Sequence, residues 1–375
     1  MANTGHLLGK TGAALAVGTA AIFLLTSHIA GGQAKPVGGG YKVLAGTTQD
    51  NLTIFPIVTD STPDTHSLLT LDEGLRSGQV VVTEGGGSAG LVRPRSQRPP
   101  APWEVRHRGA EVNRLVLMNN SDRPLILLAG EIVTGGKQDR VVGKDRIVPA
   151  HSEPVDLGVF CVEPHRWVEV SAQFGGLGFS MAQPSVRQKA MADKDQQAVW
   201  NEVAKSRAAV AQAVPAPAAQ ALAGTSSYAV TMGNSAVQER LNAVAMPIER
   251  SYDKLMRELR AQNAVGAVVA VNGEIVWVDV FASASLLEKY WPKLIRSYAA
   301  EALGSRGPWI RPASIPSIKD AQSFLDDFSA RRESVESEPG VYRNTEIIGP
   351  DFDAFVLTSL LPGVHYDVHV AKMKR

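Results

Sequence analysis

The protein has 375 residues, with 38 Lys and Arg against 37 Asp and Glu. This length predicts two domains or one large domain with insertions, and 44% hydrophobic with 20% charged residues excludes a wholly disordered chain. The single cysteine, Cys161, excludes intrachain disulfides, zinc ribbons and iron–sulfur clusters, and the near-neutral charge argues against a dedicated nucleic-acid binder.

The first segment, residues 1–34, has the features of a secretory signal peptide. Its one charged residue, Lys10, precedes an apolar run over residues 13–25 that is shorter than the ~20 residues a membrane-spanning helix needs. Residues 32–34 (Gly-Gln-Ala) form the small-x-small pattern that signal peptidase cleaves. We therefore expect a periplasmic or extracellular protein with no membrane span after cleavage. The alternative is an uncleaved N-terminal membrane anchor.

A β-rich part is predicted over residues 49–183, after a Gly-rich, flexible leader over residues 35–48. Short apolar and β-branched runs in this part are separated by clusters of turn-forming residues, as between residues 118 and 125. This spacing favours an antiparallel, sandwich-like arrangement over parallel βαβ units.

From residue 184 onward, helical patterns and strands alternate, which predicts an α+β part over residues 184–375. Residues 211–227 form an Ala, Pro, Gly and Ser stretch that is typical of a low-complexity linker. Two amphipathic stripes contain Pro247 and Pro292, and we expect the helix to break or kink at each. Asn272-Gly273 lies between two apolar runs and predicts a type I′ β-hairpin. The overall class is α+β, with a single domain over residues 49–375 as the alternative to two parts.

The richest polar stretch begins at Glu131 and includes Lys137, Gln138 and Arg140, with Gly135-Gly136 between them. One interpretation is the rim of a pocket, where Lys137 and Arg140 hold an anionic or carbonyl group. The alternative is a Gly-Gly hairpin with a buried, structural ion pair between Glu131 and Arg140.

A second polar stretch contains Cys161, Glu163, Arg166 and Trp167. Alternation with apolar residues predicts that Cys161 faces the core as a small hydrophobic residue. Glu163 stands where a strand ends. With Glu131 it would make the acid and base of a hydrolase if the two carboxyls lie roughly 5–9.5 Å apart across a groove.

Neither a metal nor a cofactor is predicted. His365 and His369 suggest a metal site, but the alternation around them indicates a strand. Four residues of strand separate two side chains by about 13 Å, at ~3.3 Å per residue, which is too far for two ligands of one zinc ion.

Several motifs, taken in order, resemble the "ARG and Rhodanese-Phosphatase-superfamily-associated protein domain" family of bacteria and archaea over about residues 50–370. They are Gly130-Glu131, residues 136–140, residues 159–163 with Arg166-Trp167, residues 265–273, Phe281 and residues 291–299. The chain departs from the family pattern at Asp139, where Asn is typical, and at His165, where Gly is typical. The resemblance implies one α+β unit and no particular reaction. It favours a shared site formed by Glu131, Lys137, Gln138, Arg140, Glu163, Arg166 and Trp167.

The leading hypothesis is a non-enzymatic, exported binding or interaction module for an anionic or peptide ligand. Lys137, Arg140 and Arg166 would make charge-assisted contacts beside Gln138, and Trp167 would form an apolar wall. One alternative is a hydrolase that uses Glu131 and Glu163. The other is a purely structural protein in which these residues form an ion-pair network.

Overall fold

A computed structural model describes residues 40–84, 114–164, 170–171, 173–258, 262–305 and 314–375. The predicted signal peptide lies outside these ranges, so export stays a prediction. Helices and antiparallel sheets contribute about equally to the described residues, which confirms the α+β class.

Eighteen strands are described, and they form three sheets. In chain order they are β1 (Lys42–Val43), β2 (Thr47–Gln49), β3 (Leu52–Thr59), β4 (Leu69–Thr70), β5 (Val80–Glu84), β6 (Arg114–Asn119), β7 (Leu125–Leu127), β8 (Glu131–Thr134), β9 (Arg140–Val142), β10 (Arg146–Val148), β11 (Val155–Cys161), β12 (Gly175–Met181), β13 (Asn263–Val271), β14 (Glu274–Phe281), β15 (Arg332–Glu338), β16 (Tyr342–Ile348), β17 (Phe352–Ser359) and β18 (Asp367–Lys374).

Eight α-helices are described, and a π-helical turn (Lys189–Asp193) follows the second of them. The helices are α1 (Leu71–Arg76), α2 (Pro184–Gln188), α3 (Gln196–Gln212), α4 (Ala216–Ala223), α5 (Tyr228–Gly233), α6 (Ser235–Glu258), α7 (Ala284–Gly304) and α8 (Ile318–Asp326). In the part of the chain that is described, none of them has the length and apolarity to cross a membrane.

The largest sheet has nine antiparallel strands in the order β1-β3-β13-β14-β18-β17-β16-β15, and β2 also pairs with β3. Apolar side chains cover both faces of its centre. Trp277 and Phe281 of β14 pack into the larger core with α6 and α7, whereas Val278 and Val280 face a smaller core that includes Leu325 of α8. Two buried faces explain why β13 is apolar at nearly every position.

The predicted hairpin at Asn272-Gly273 is confirmed. β13 pairs with β14 across this turn, and both turn residues have positive φ, 54° for Asn272 and 82° for Gly273. Asn and Gly are the residues that adopt this conformation at least cost.

Two smaller sheets form the β-rich part. One has six strands in the order β12-β8-β9-β11-β6-β5, and the other has three, β10-β7-β4. Side chains from both sheets, including Leu117 and Val159 of the first and Leu125 and Val148 of the second, share one apolar core. This packing is sandwich-like, as the short strands and turn clusters predicted.

The leader predicted over residues 35–48 is wrong in its described part. Residues 42–43 and 47–49 form β1 and β2 on either side of a short connection, and both pair with β3. Val43 is 2% exposed and packs in the smaller core. β1 and β2 are too short to show an alternating pattern in the sequence. The Gly residues before them suggested a flexible segment instead.

The linker predicted over residues 211–227 is also wrong. α3 extends to Gln212, and α4 occupies residues 216–223, with Val214 and Leu222 buried between helices. Alanine is the strongest helix former, and Pro215 and Pro217 stand at the start of α4, where proline is tolerated because the first helical N–H groups have no partner within the helix.

Pro247 and Pro292 do not break their helices. α6 continues through Pro247 and α7 through Pro292. The packing of α7 supplies the reason, since Tyr290, Trp291, Leu294 and Ile295 around Pro292 are all buried in the larger core. Their burial offsets one lost backbone hydrogen bond.

The division at residue 183 stays a prediction, and the described contacts cross it at several places. β3 belongs to the sequence of the β-rich part but lies inside the nine-stranded sheet, between β1 and β13. The loop between β9 and β10 also contacts β16, where Asn344 Nδ2 donates to the backbone oxygen of Asp145 at 3.0 Å.

Candidate functional site

The polar stretch at residues 131–140 forms a β-hairpin of β8 and β9, with Gly135 and Gly136 in its turn. Both glycines have positive φ, 131° and 49°. A Cβ on Gly136 would lie 2.3 Å from the ring of Phe174 and 2.7 Å from Glu84 Oε1. The close approach that these glycines allow is therefore to side chains of the protein itself.

The tip of this hairpin meets the second polar stretch at Glu163. Gln138 Nε2 donates to the backbone oxygen of Glu163 at 3.1 Å, and the Asp139 N–H donates to Glu163 Oε2 at 3.2 Å. The Asp139 carboxylate accepts from Ser227 Oγ at 3.0 Å and from the Gly135 N–H at 3.2 Å. The two polar stretches, far apart in sequence, thus lie together in space.

Glu84 and Arg140 complete this group. Glu84 Oε1 accepts from the Lys137 N–H at 2.8 Å and lies 3.8 Å from Arg140 Nη2. We call Glu84, Gln138, Asp139, Arg140 and Glu163 the hairpin cluster. The cluster joins the end of β5, the β8–β9 turn and the end of β11.

Most of the hairpin cluster is shielded from solvent. Gln138 is 4% exposed, Arg140 0% and Glu163 7%. Lys137 at the tip is half-buried. Arg166 and Trp167, the other predicted ligand contacts, lie outside the described residues.

Glu131 belongs to a different group, which we call the lysine cluster: Asp72, Glu131 and Lys293. Lys293 Nζ lies 2.5 Å from Glu131 Oε1 and 2.8 Å from Asp72 Oδ2, and Glu131 Oε2 accepts from the Leu128 N–H at 2.7 Å. Glu131 pairs with Lys293 of α7 and not with Arg140, so the ion pair considered from the sequence is wrong in its partner.

Burial and ion pairing act in opposite directions on the pKa values of the lysine cluster. It raises the pKa of Glu131, and the ammonium of Lys293 opposes this shift without reversing it. Burial alone would lower the pKa of Lys293, but the charges of Glu131 and Asp72 raise it overall. Glu131 and Lys293 thus favour each other's charged forms.

A third polar group lies in the larger core, and the sequence reasoning missed most of it. We call it the core network: Asp145, Arg187, Asp279, Tyr298 and His369. Arg187 binds Asp279 with two hydrogen bonds, of 2.8 and 2.9 Å, and Tyr298 Oη donates to the same carboxylate at 2.5 Å.

His369 links the two acidic residues of the core network. Its Nδ1 lies 2.5 Å from Asp145 Oδ2 and its Nε2 lies 3.1 Å from Asp279 Oδ1. Burial alone would lower the pKa of His369, but the two carboxylates raise it to about 9. Burial alone would raise the pKa of Asp279, but Arg187 and His369 hold it far below its usual range. Both ring nitrogens of His369 therefore carry protons at neutral pH and donate to the carboxylates.

A signal for the core network exists in the sequence. Asp279 is a single charged residue inside the apolar run of β14. It lies on the same face of the strand as Trp277 and Phe281, which pack into the larger core. Burying a carboxylate among apolar side chains is costly, and a cationic partner lowers that cost. The identity of that partner, Arg187 on α2, is not visible from the strand alone.

Lys372 is a further buried charge, on the opposite face of the nine-stranded sheet. Its ammonium donates to the backbone oxygens of Phe324 and Asp327 at the end of α8. The rings of Phe324, Phe328 and Phe352 surround it at 4.4, 4.8 and 4.0 Å. Burial lowers the pKa of Lys372 to about 8.

Two concave surfaces are described, and both border α6. One is an open groove of about 590 Å³ that includes Asn242, Met246 and Arg250. The other, of about 210 Å³, lies between β2 and α6 and includes Thr47 and Tyr252. None of the predicted site residues that the structure describes lines either surface.

A comparison with protein-family models gives a match over residues 40–369, which spans both predicted parts. The chain belongs to the ARG and Rhodanese-Phosphatase-superfamily-associated Protein domain family. This confirms the resemblance drawn from the motifs. No curated protein and no solved structure matches the chain.

Asp139 stands at a position where the resemblance implied Asn. Its two carboxylate oxygens accept from different donors, the Gly135 N–H and Ser227 Oγ. The Asp139 carboxylate therefore links the hairpin turn to Ser227, the N-cap residue of α5.

Over the ranges that the structure describes, no set of three or more His, Cys, Asp or Glu side chains is arranged to hold a metal ion. Cys161 is buried, as predicted, and burial raises the pKa of its thiol, which disfavours the nucleophilic thiolate.

Proposed function

We propose that this member of the family is a non-enzymatic, exported binding module. Its ligand is anionic or a peptide, and it contacts Lys137 at the hairpin tip together with Arg166 and Trp167. The observation that carries this proposal is the pair of hydrogen bonds from Gln138 and Asp139 to Glu163. These bonds hold the hairpin tip beside the start of the segment that contains Arg166 and Trp167.

Within this proposal the predicted residues divide into two roles. Three of them are too deeply buried to contact a ligand, namely Gln138, Arg140 and Glu163. Their role is to hold the hairpin tip in position. Lys137 is half-buried and can present its ammonium to an anion. The proposed ligand contacts are therefore Lys137, Arg166 and Trp167.

The hydrolase alternative has less support. Both carboxylate oxygens of Glu131 are engaged, one by Lys293 and one by the Leu128 N–H. The Glu131 side chain is 2% exposed, so no substrate approaches it in this conformation. Its raised pKa is a property of general acids, but proton transfer to a substrate also requires contact.

The purely structural alternative is favoured by one specific observation. Four of the five described candidate residues, Glu131, Gln138, Arg140 and Glu163, are at most 7% exposed. If binding is absent, these residues serve only to stabilise the fold.

Binding is tested with a fluorescent hexaglutamate peptide, with hexalysine as the control for charge. We expect the acidic peptide to bind, and Lys137→Ala, Arg166→Ala and Trp167→Ala each to weaken it about tenfold, which equals about 1.4 kcal/mol. Lys319→Ala, an exposed lysine of α8, is the matched control and leaves binding unchanged.

Three outcomes contradict the proposal. If neither peptide binds, or if Lys137→Ala and Lys319→Ala bind the acidic peptide alike, the structural alternative is preferred. If the protein hydrolyses a chromogenic ester or glycoside and Glu163→Gln abolishes turnover while the melting temperature is kept, the hydrolase alternative is preferred.

A further inference from the structure

β15 lies at one end of the nine-stranded sheet that the structure describes. It pairs with β16 over its whole length, from Arg332 opposite Ile348 to Glu338 opposite Tyr342. In the described part of the chain, no strand pairs with its outer side. Backbone N–H and C=O groups along that side are available to another strand.

The charges that ordinarily protect such an edge are neutralised here. β15 carries Arg332, Glu333, Glu336 and Glu338, a surplus of two negative charges. Glu336 pairs with Lys144, and Glu338 pairs with Arg146 at 3.2 Å. With these two partners counted, the edge has no net charge to repel an identical edge.

We propose that two copies of this chain pair through β15 in antiparallel orientation, with Val335 at the twofold axis. This register is the one that pairs all seven residues of the strand. The two nine-stranded sheets then become one continuous sheet with an isologous interface.

The sequence of β15 is self-complementary in this register. Arg332 lies opposite Glu338 of the second copy, and this pair occurs twice by symmetry. Glu333 lies opposite Ser337, and Ser334 lies opposite Glu336, so no two like charges are directly opposed. Opposite charges across antiparallel strands are stabilising, whereas like charges are destabilising.

Both members of the ion pair are accessible. Arg332 is exposed, and it forms no ion pair within the described residues. The Glu338 side chain is 39% exposed, and one of its oxygens binds Arg146, which leaves acceptor positions for a second guanidinium.

The test uses sedimentation equilibrium of the purified protein. We expect a monomer–dimer equilibrium, and we expect Arg332→Glu alone or Glu338→Arg alone to weaken the dimer at least tenfold, because each creates like-charge pairs. An equimolar mixture of the two variants restores a heterodimer, since Glu at 332 of one chain then faces Arg at 338 of the other. If Glu338→Arg weakened the dimer only because it loses the contact with Arg146 in its own chain, mixing the two variants would not restore dimerisation.

Two controls test which surface forms the dimer and in which register the two β15 strands pair. Arg343→Glu makes the same charge change on the neighbouring strand β16, where the side chain is also exposed, and leaves the dimer unchanged. Val335→Cys gives a covalent dimer with a short bismaleimide, whereas Ser337→Cys gives much less, because only position 335 faces itself. A protein that stays monomeric at 100 µM, or a mixture that fails to dimerise, overturns the proposal.

Discussion

Lys293 illustrates how single residues of this protein keep their charges inside the core. Its side chain is 2% exposed, and it stands between two carboxylates, of Asp72 and Glu131. Arg187 and His369 follow the same rule, because each faces at least one buried aspartate. A buried charge without such a partner would cost several kcal/mol, so each member of these groups is required by the others.

Replacing Lys293 with Met is expected to lower the free energy of unfolding by about 3–5 kcal/mol. The reason is that the carboxylate of Glu131 would stay buried without its cation. Chemical denaturation measures the change. The matched control is Lys289→Met, one turn earlier on α7, whose ion pair with Glu73 at 3.0 Å is partly exposed and contributes only about 1 kcal/mol or less. Equal losses in the two variants would contradict the role of burial.

At the scale of elements, local chemistry was visible in the sequence where a few adjacent residues determine the conformation. Asn272-Gly273 predicted a hairpin because left-handed backbone selects these residues. The helix α4 was missed because its Ala and Pro composition is shared by linkers and helix starts. Burial of Leu222 decides between them, and burial depends on residues far away in sequence.

Asn272 offers a way to separate the cost of its backbone conformation from its side-chain contacts. Its Oδ1 accepts from Asn51 Nδ2 at 2.9 Å, and its Nδ2 donates to the Ser305 oxygen at 2.9 Å. Asn272→Gly loses both bonds but keeps the turn. Asn272→Ala loses them too and places a Cβ at φ 54°. We expect the Ala variant to be less stable than the Gly variant by about 1 kcal/mol, measured by thermal unfolding, and a reversed order would contradict the turn geometry.

On the scale of the whole molecule, polar contacts tie together regions that the sequence suggested as separate parts. Asp145 comes from the loop between β9 and β10, Arg187 from α2, and Asp279 and His369 from neighbouring strands of the nine-stranded sheet. The sequence indicated that His369 lies on a strand, but not what it faces. Its partner Asp145 is 224 residues away, and no local pattern encodes a contact over that separation.

The protein is expected to lose stability as the pH rises from about 6.5 to 8, by about 2 kcal/mol. The pKa of His369 is about 9 in the folded protein and about 6.5 in an unfolded chain. The folded state therefore binds this proton more tightly, so its stabilisation is complete below pH 6.5 and is lost as the pH rises toward 9. Lys372, whose pKa is lowered to about 8, opposes this trend at higher pH.

Urea denaturation at several pH values measures this dependence. His369→Gln is expected to flatten the decline between pH 6.5 and pH 8, whatever its effect on stability at pH 6.5. His365→Gln is the matched control, since His365 is exposed, and it keeps the slope of the unmodified protein. An unchanged slope in His369→Gln would show that another group titrates.

The position of β3 has a consequence for how the chain folds during its synthesis. β3 leaves the ribosome early, yet its partner β13 ends only at Val271, which lies opposite Leu52. Until then this apolar strand lacks its neighbour at one edge, while β1 and β2, which come just before it in the chain, pair with the other edge. Such distant pairing slows folding and prolongs exposure to aggregation. Nascent chains of this protein should therefore need a chaperone until translation has passed β13.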